Sequence, residues 1–219
     1  MAGYAMNKAR QSLAALVLPA LLLAGCQPAQ PGNSAESASE GDLVGARIGG
    51  DFELTDQDGK TVHWADFAGQ YRVVYFGYTY CPDVCPLDLT RIMAGYRLLE
   101  KADPATAEKI QPIFITVDPQ RDTPAVVKTY VTAFHPRLIG LTGTPEQIEA
   151  VKKAFVVVAG KEGDQAATQD YLVSHSRTPY LFGPDGKPIA MVPIDDGTPG
   201  HENSGSPESV RDFLVRFVK

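Results

Sequence analysis

VVYFGYTYCPDVCP, Val73 to Pro86, runs from an apolar, aromatic segment straight into two cysteines separated by three residues, each followed by proline. The fuller run YRVVYFGY, Tyr71 to Tyr78, is short, rich in β-branched and aromatic residues, and bounded by polar ones, as a buried strand is. Beyond it Cys85, Leu89, Ile92, Met93, Tyr96 and Leu99 recur at steps of three and four, the spacing of one helix face. A second apolar run follows, IQPIFITVD, Ile110 to Asp118. Strand, helix, strand predicts an α/β domain with a central sheet flanked by helices. Outward from this unit, helices are expected over Val126–Phe134, Ile148–Phe155 and Pro207–Val218. Strands are expected within RLIGLTG (Arg137 to Gly143) and AFVVVAG (Ala154 to Gly160), and a hairpin in PYLFGPDGKPIAMV (Pro179 to Val192) turning at Pro184-Asp185-Gly186.

Three helix starts share a pattern. Thr123-Pro124, Thr144-Pro145 and Ser206-Pro207 each set a hydroxyl at the N-cap and proline at the first helical position, and Thr144 with Gln147 completes a capping box. Cys81-Pro82 repeats it with a thiol, which places Cys81 at the N-cap or first turn. There the helix dipole and unpaired amides favour a thiolate. Cys85 lies one turn on along the same face, close enough for a disulfide or for two bonds to one metal ion. The bland reading is two small hydrophobes capping the apolar face. A structural zinc site would want four ligands, and this stretch offers only two thiols.

Composition bounds the rest. At 44% hydrophobic and 21% charged, the chain can build one globular core. Residues 1–25 carry Lys8 and Arg10 ahead of LAALVLPALLLAG, Leu13 to Gly25, too short and proline-broken for a membrane span and read as an export signal. Its end, LAGC, resembles the lipobox of bacterial lipoproteins, which implies a lipid on Cys26. Removing the signal leaves 18 basic against 26 acidic residues, so nucleic acid is not the partner. Residues 26–42 lack aromatic and β-branched side chains and read as a tether spanning about 20–25 Å. The domain, residues 43–219, would then work near a membrane, facing the periplasm, where an uncommitted cysteine pair closes as a disulfide unless reduced or metal-bound.

Three segments, FGYTYCPDVCP (Phe76 to Pro86), VDPQRDTP (Val117 to Pro124) and YLVSHS (Tyr171 to Ser176), resemble the Sco/SenC copper chaperones of cytochrome c oxidase. The similarity covers most of Leu43 to Lys219. It implies a thioredoxin-like fold, a copper ion held by Cys81, Cys85 and His175, and delivery to the binuclear copper centre of the oxidase's copper-bearing subunit. Other periplasmic copper chaperones or thiol reductants are further implied partners. Two thiolates with an imidazole suit copper and leave a coordination position open. His63, His135 and His201 carry no comparable context; periodicity alone does not pick out His175. Asp83, Asp118, Arg121 and Asp122 read as structural.

Two departures stand out. Tyr80 occupies a place where family members often carry His or Phe, and Thr178-Pro179 sets proline where thioredoxins have the one facing their cysteine pair. The second points to an alternative, a periplasmic thiol–disulfide oxidoreductase in which Cys81 attacks and Cys85 resolves. The leading expectation is a metallochaperone rather than an enzyme, with residues 195–206 a mobile surface loop.

Overall fold

The computed structural model describes residues 43–162, 170–199 and 203–219. The expected signal, the Cys26 lipid site, the tether and His201 lie outside them. Among the described residues no helix is long and apolar enough to cross a membrane.

The continuous apolar runs form the middle of the sheet. β3 (Tyr71–Gly77) is buried along its whole length and pairs in parallel with β4 (Ile110–Thr116). Around them lie β1 (Glu53–Asp56), β2 (Thr61–His63), β5 (Ile139–Thr142), β8 (Tyr180–Phe182) and β9 (Pro188–Met191), in the order β2-β1-β5-β4-β3-β8-β9. β4 and β5 are parallel; the outer pairings are antiparallel. A separate two-stranded hairpin is made by β6 (Ala159–Glu162) and β7 (Leu172–His175).

Strand alternation sends successive side chains of β3 to opposite faces, which is why both must be covered. One face meets α1 (Val84–Ala102), α3 (Pro124–Thr132) and α5 (Pro207–Phe217), with the short α2 (Pro104–Glu108) leading back into β4. Val127 and Val131 of α3 reach over Gly140, and α5 crosses α1 where Gly95 leaves room for Val210. The other face is aromatic. Phe76, Phe52, Phe182 and Trp64, the last in a 3-10 turn spanning Trp64–Phe67, gather round Phe155 at ring separations of 5.4–6.4 Å, and Arg72 lies 4.3 Å over Trp64.

Thr123, Thr144 and Ser206 all accept a backbone amide at their helix starts, and Thr144–Gln147 is a complete capping box. Gly186, at φ 79°, closes the β8–β9 turn, where a side chain would strike Arg72 and Trp64. AFVVVAG departs in part from expectation, its strand β6 starting only at Ala159. α4 (Pro145–Ala154) ends inside it, with Val156 at φ 56° and the amides of Val156 and Val157 returning to the carbonyls of Lys153 and Lys152. This is a Schellman ending with valine where glycine is usual, so three successive valines serve a helix stop rather than a strand. β1 and β2, short and partly exposed, fall outside the expected elements. The expected mobile loop is pinned where described: Arg91 binds Asp195 at 3.0 Å and the Ser204 hydroxyl donates to Ile194 at 2.8 Å, while residues 200–202 lie outside the described residues.

Candidate metal and thiol site

The site lies where β3 hands over to α1. Tyr78 to Asp83 cross from the sheet edge to the helix, and α1 begins at Val84 with Asp83 at its N-cap. Cys81 is therefore two residues ahead of the N-cap, not on it, and Pro82 lies outside the helix. Its sulfur nonetheless folds back and accepts the Cys85 amide at 3.4 Å, so the expected contact with the helix start is kept by a different backbone path. Asp83 caps with no side-chain hydrogen bond.

The two thiols differ sharply. Cys81 is partly exposed and Cys85 fully buried. A proton shared with Cys85, then His175 and the amides of Asp83 and Cys85, hold the Cys81 thiol far below the ordinary thiol range. The same sharing, with burial, drives Cys85 upward, so Cys81 carries the charge and Cys85 the proton. Both are free thiols in this structure.

His175 arrives from the end of β7, 90 residues later, with Nε2 at 3.1 Å from Cys85 Sγ. Its Nδ1 donates to the Ser176 carbonyl at 2.9 Å, which leaves the Nε2 lone pair facing the sulfur. Tyr75 and Tyr78 stand edge-on to the imidazole at 6.5 and 6.0 Å. Gly77 leaves space below, since a Cβ there would lie 3.2 Å from Cys85 Sγ. The other described histidines sit elsewhere: His63 is exposed beside Glu53 and Asp66, and buried His135 pairs with Glu100.

Two sulfurs and an imidazole nitrogen form a soft donor set suited to copper. Among the described residues no group of three or more His, Cys, Asp or Glu side chains is already arranged to hold a metal ion.

Of the supports around the site, Asp118, Arg121 and Asp122 are the residues read from the sequence as structural, whereas Asp88 and Arg177 were missed. Buried Asp122 accepts the Thr79 amide at 3.0 Å, the Thr79 hydroxyl at 2.6 Å and the Thr116 hydroxyl at 2.5 Å, tying the Cys81 loop to the end of β4. Asp118 pairs with Arg121 at 2.6 Å and accepts from the Tyr171 hydroxyl at 2.6 Å, while the Arg121 guanidinium lies 3.7 Å over Tyr171 and 4.8 Å over Tyr80. Asp88 and Arg177 also pair beside the site. The available signal for Asp88 was a carboxylate three residues after Cys85, on an otherwise apolar helix face.

Similarity to known proteins is consistent with this geometry. The family model described as SCO1/SenC matches residues 41–202. The bovine mitochondrial "Protein SCO2 homolog" is 48% identical over 137 residues, which are 63% of this chain and 50% of that protein. The chain spans about half the length of the bovine relative and of a yeast mitochondrial "Protein SCO2" that it also matches. A solved structure of Bradyrhizobium japonicum ScoI with copper bound is 37% identical, with a TM-score of 0.67 over 78% of this chain and 99% of the other. The thioredoxin domain of a Bacteroides vulgatus thiol-disulfide oxidoreductase, 15% identical at a TM-score of 0.52 over 78% of this chain and 96% of that one, shows the shared fold alone. With a thioredoxin-like fold and the family's model matching most of its length, the chain belongs to the SCO1/SenC family.

Proposed function

We propose that this chain is a copper metallochaperone that takes copper as cargo on Cys81, Cys85 and His175 and delivers it to the binuclear copper centre of cytochrome c oxidase during assembly. The observation that carries the reading is the 3.1 Å approach of His175 Nε2 to Cys85 Sγ, which joins an imidazole to a dithiol across 90 residues. The copper bound to the related ScoI supports the choice of metal. Burial of Cys85 and partial exposure of Cys81 suit a cargo held on one side and released from the other. Cys81→Ala and Cys85→Ala should each largely abolish binding of one equivalent of copper to the reduced chain, because each removes one of two soft ligands. Tight stoichiometric binding by both variants would sink this reading.

The same reading puts the domain on a bacterial envelope membrane, facing the periplasm, through a lipid on Cys26. Cys26→Ser should release it from membranes or block maturation; wild-type fractionation and migration would exclude that site.

The asymmetry of the thiols favours a second reading, thiol–disulfide exchange. The Cys81 thiolate attacks a partner disulfide, forming a mixed disulfide and releasing one partner thiolate. Cys85, losing its proton, then attacks Cys81 Sγ and releases the second. Two electrons pass to the partner, whose thiolates take up protons, and the pair ends as a disulfide. His175→Ala separates the readings: copper binding and oxidase assembly should fall while dithiol reduction of a partner persists. Normal assembly with His175→Ala, beside failure with either cysteine variant, would favour exchange.

A further inference from the structure

We infer that the Asp88–Arg177 ion pair is a positioning device that holds His175 against Cys85. β7, which carries His175, belongs to a two-stranded hairpin outside the main sheet, and such a hairpin is marginal without support. At its Tyr171 end the hairpin is tied down through Asp118. At its His175 end the tie to α1 is Arg177, two residues on. Its Nε and Nη2 donate to Asp88 Oδ2 and Oδ1 at 3.1 and 2.8 Å, and Nη2 donates again to the Asp195 carbonyl at 3.1 Å.

Asp88 sits one turn after Cys85 on the same helix face, with its side chain 0% exposed. A carboxylate there is costly unless fully paired. It is paired by the fork and by the Tyr75 hydroxyl at 2.9 Å from β3, whose ring also faces His175. One helix thus presents both the Cys85 sulfur and the acceptor that fixes the histidine's loop. A planar two-bond fork sets direction as well as distance, which a single lysine contact would not. Asp195, bound in turn by Arg91 of α1 at 3.0 Å, closes the clamp from the other side.

The inference deepens the copper reading and rests on it for consequence, although its geometry is testable without metal. The double variant Asp88→Asn/Arg177→Met removes the fork while keeping an amide oxygen for the Tyr75 hydroxyl. In the reduced, metal-free full chain, NMR should show NOEs between the His175 ring protons and the Cys85 β-protons for the wild type and lose them in the variant, with the circular dichroism spectrum retained. Loaded with Cu(II), the variant should lose histidine-nitrogen hyperfine coupling in EPR and bind about 10–100-fold more weakly. Retained NOEs and nitrogen coupling overturn the assignment. If the double variant does not fold, Arg177→Lys keeps the charge without the fork, and unchanged NOEs there overturn it equally. A wild-type chain that shows the NOEs but takes up no copper refutes the chaperone reading and leaves the positioning role to the NOE comparison.

Discussion

Asp122 offers a sharp test of what supports the thiol loop. Asp122→Ala strands three donors: the Thr79 amide, the Thr79 hydroxyl and the Thr116 hydroxyl. Hydrogen bonds to a charged group contribute about 1.5–3 kcal/mol each. Thr79 is partly exposed and water can replace part of its loss, whereas Thr116 is 0% exposed. Relief of the carboxylate's burial offsets some of the rest, leaving a net loss of about 2–4 kcal/mol. At about 2–4 °C per kcal/mol for a domain of this size, the melting temperature should fall by about 6–12 °C for a loss near the middle of that range. Asp122→Asn is different. Its amide oxygen can accept both the Thr79 amide and the Thr116 hydroxyl, and its NH2 can donate to a rotated Thr79 hydroxyl. All three partners survive without a buried charge, so the change should be within about 1 kcal/mol of wild type.

Burial raises the Asp122 pKa against the hydrogen bonds that lower it. Between the ordinary carboxylate value and the raised one the folded state binds more protons than the unfolded, so this group contributes most stability at low pH and loses it as pH rises through the folded value. The wild type should therefore gain on Asp122→Asn as pH falls through that window. Urea unfolding of all three proteins at neutral and mildly acid pH measures both effects. An alanine variant within 1 kcal/mol of wild type, or an asparagine variant as damaged as alanine, refutes the accounting, taking about 1 kcal/mol as the net worth of one ordinary hydrogen bond.

Other perturbations follow from the same geometry. In alkylation mapped by mass spectrometry, Cys81 should react first and still react at acid pH where an ordinary thiol is protonated, with Cys85 modified only on unfolding; equal rates would contradict the asymmetry. Gly95→Ala should destabilise by about 1–3 kcal/mol in chemical denaturation, although helix propensity favours alanine, because the new Cβ would lie 2.6 Å from Val210 Cβ and 2.7 Å from the Pro207 carbonyl. Val156→Gly should stabilise by up to about 1 kcal/mol, since the residue is 58% exposed at φ 56° and glycine takes that conformation without strain; a loss of stability would show that the valine side chain is needed for packing.

Much of this fold was written locally. Hydroxyl–proline pairs mark α3, α4 and α5 because a cap acts within three residues of itself, and the unbroken apolar runs mark β3 and β4 because a strand buried on both faces has no polar side to show. The face carrying Cys85 through Leu99 was equally legible from its spacing. Other choices were tertiary. β1 and β2 gain their partners from β5 and each other, not from their own composition. Three valines stop a helix because residues ahead of them already bury Phe155 in the aromatic cluster. The start of α1 fell after Cys81, because an Asp122 brace 43 residues away from Thr79 directs the loop. His175 could be named by resemblance, but its approach to Cys85, and the Asp88–Arg177 pair beside it, exist only once chain segments about 90 residues apart are folded together, since no local energy term links them.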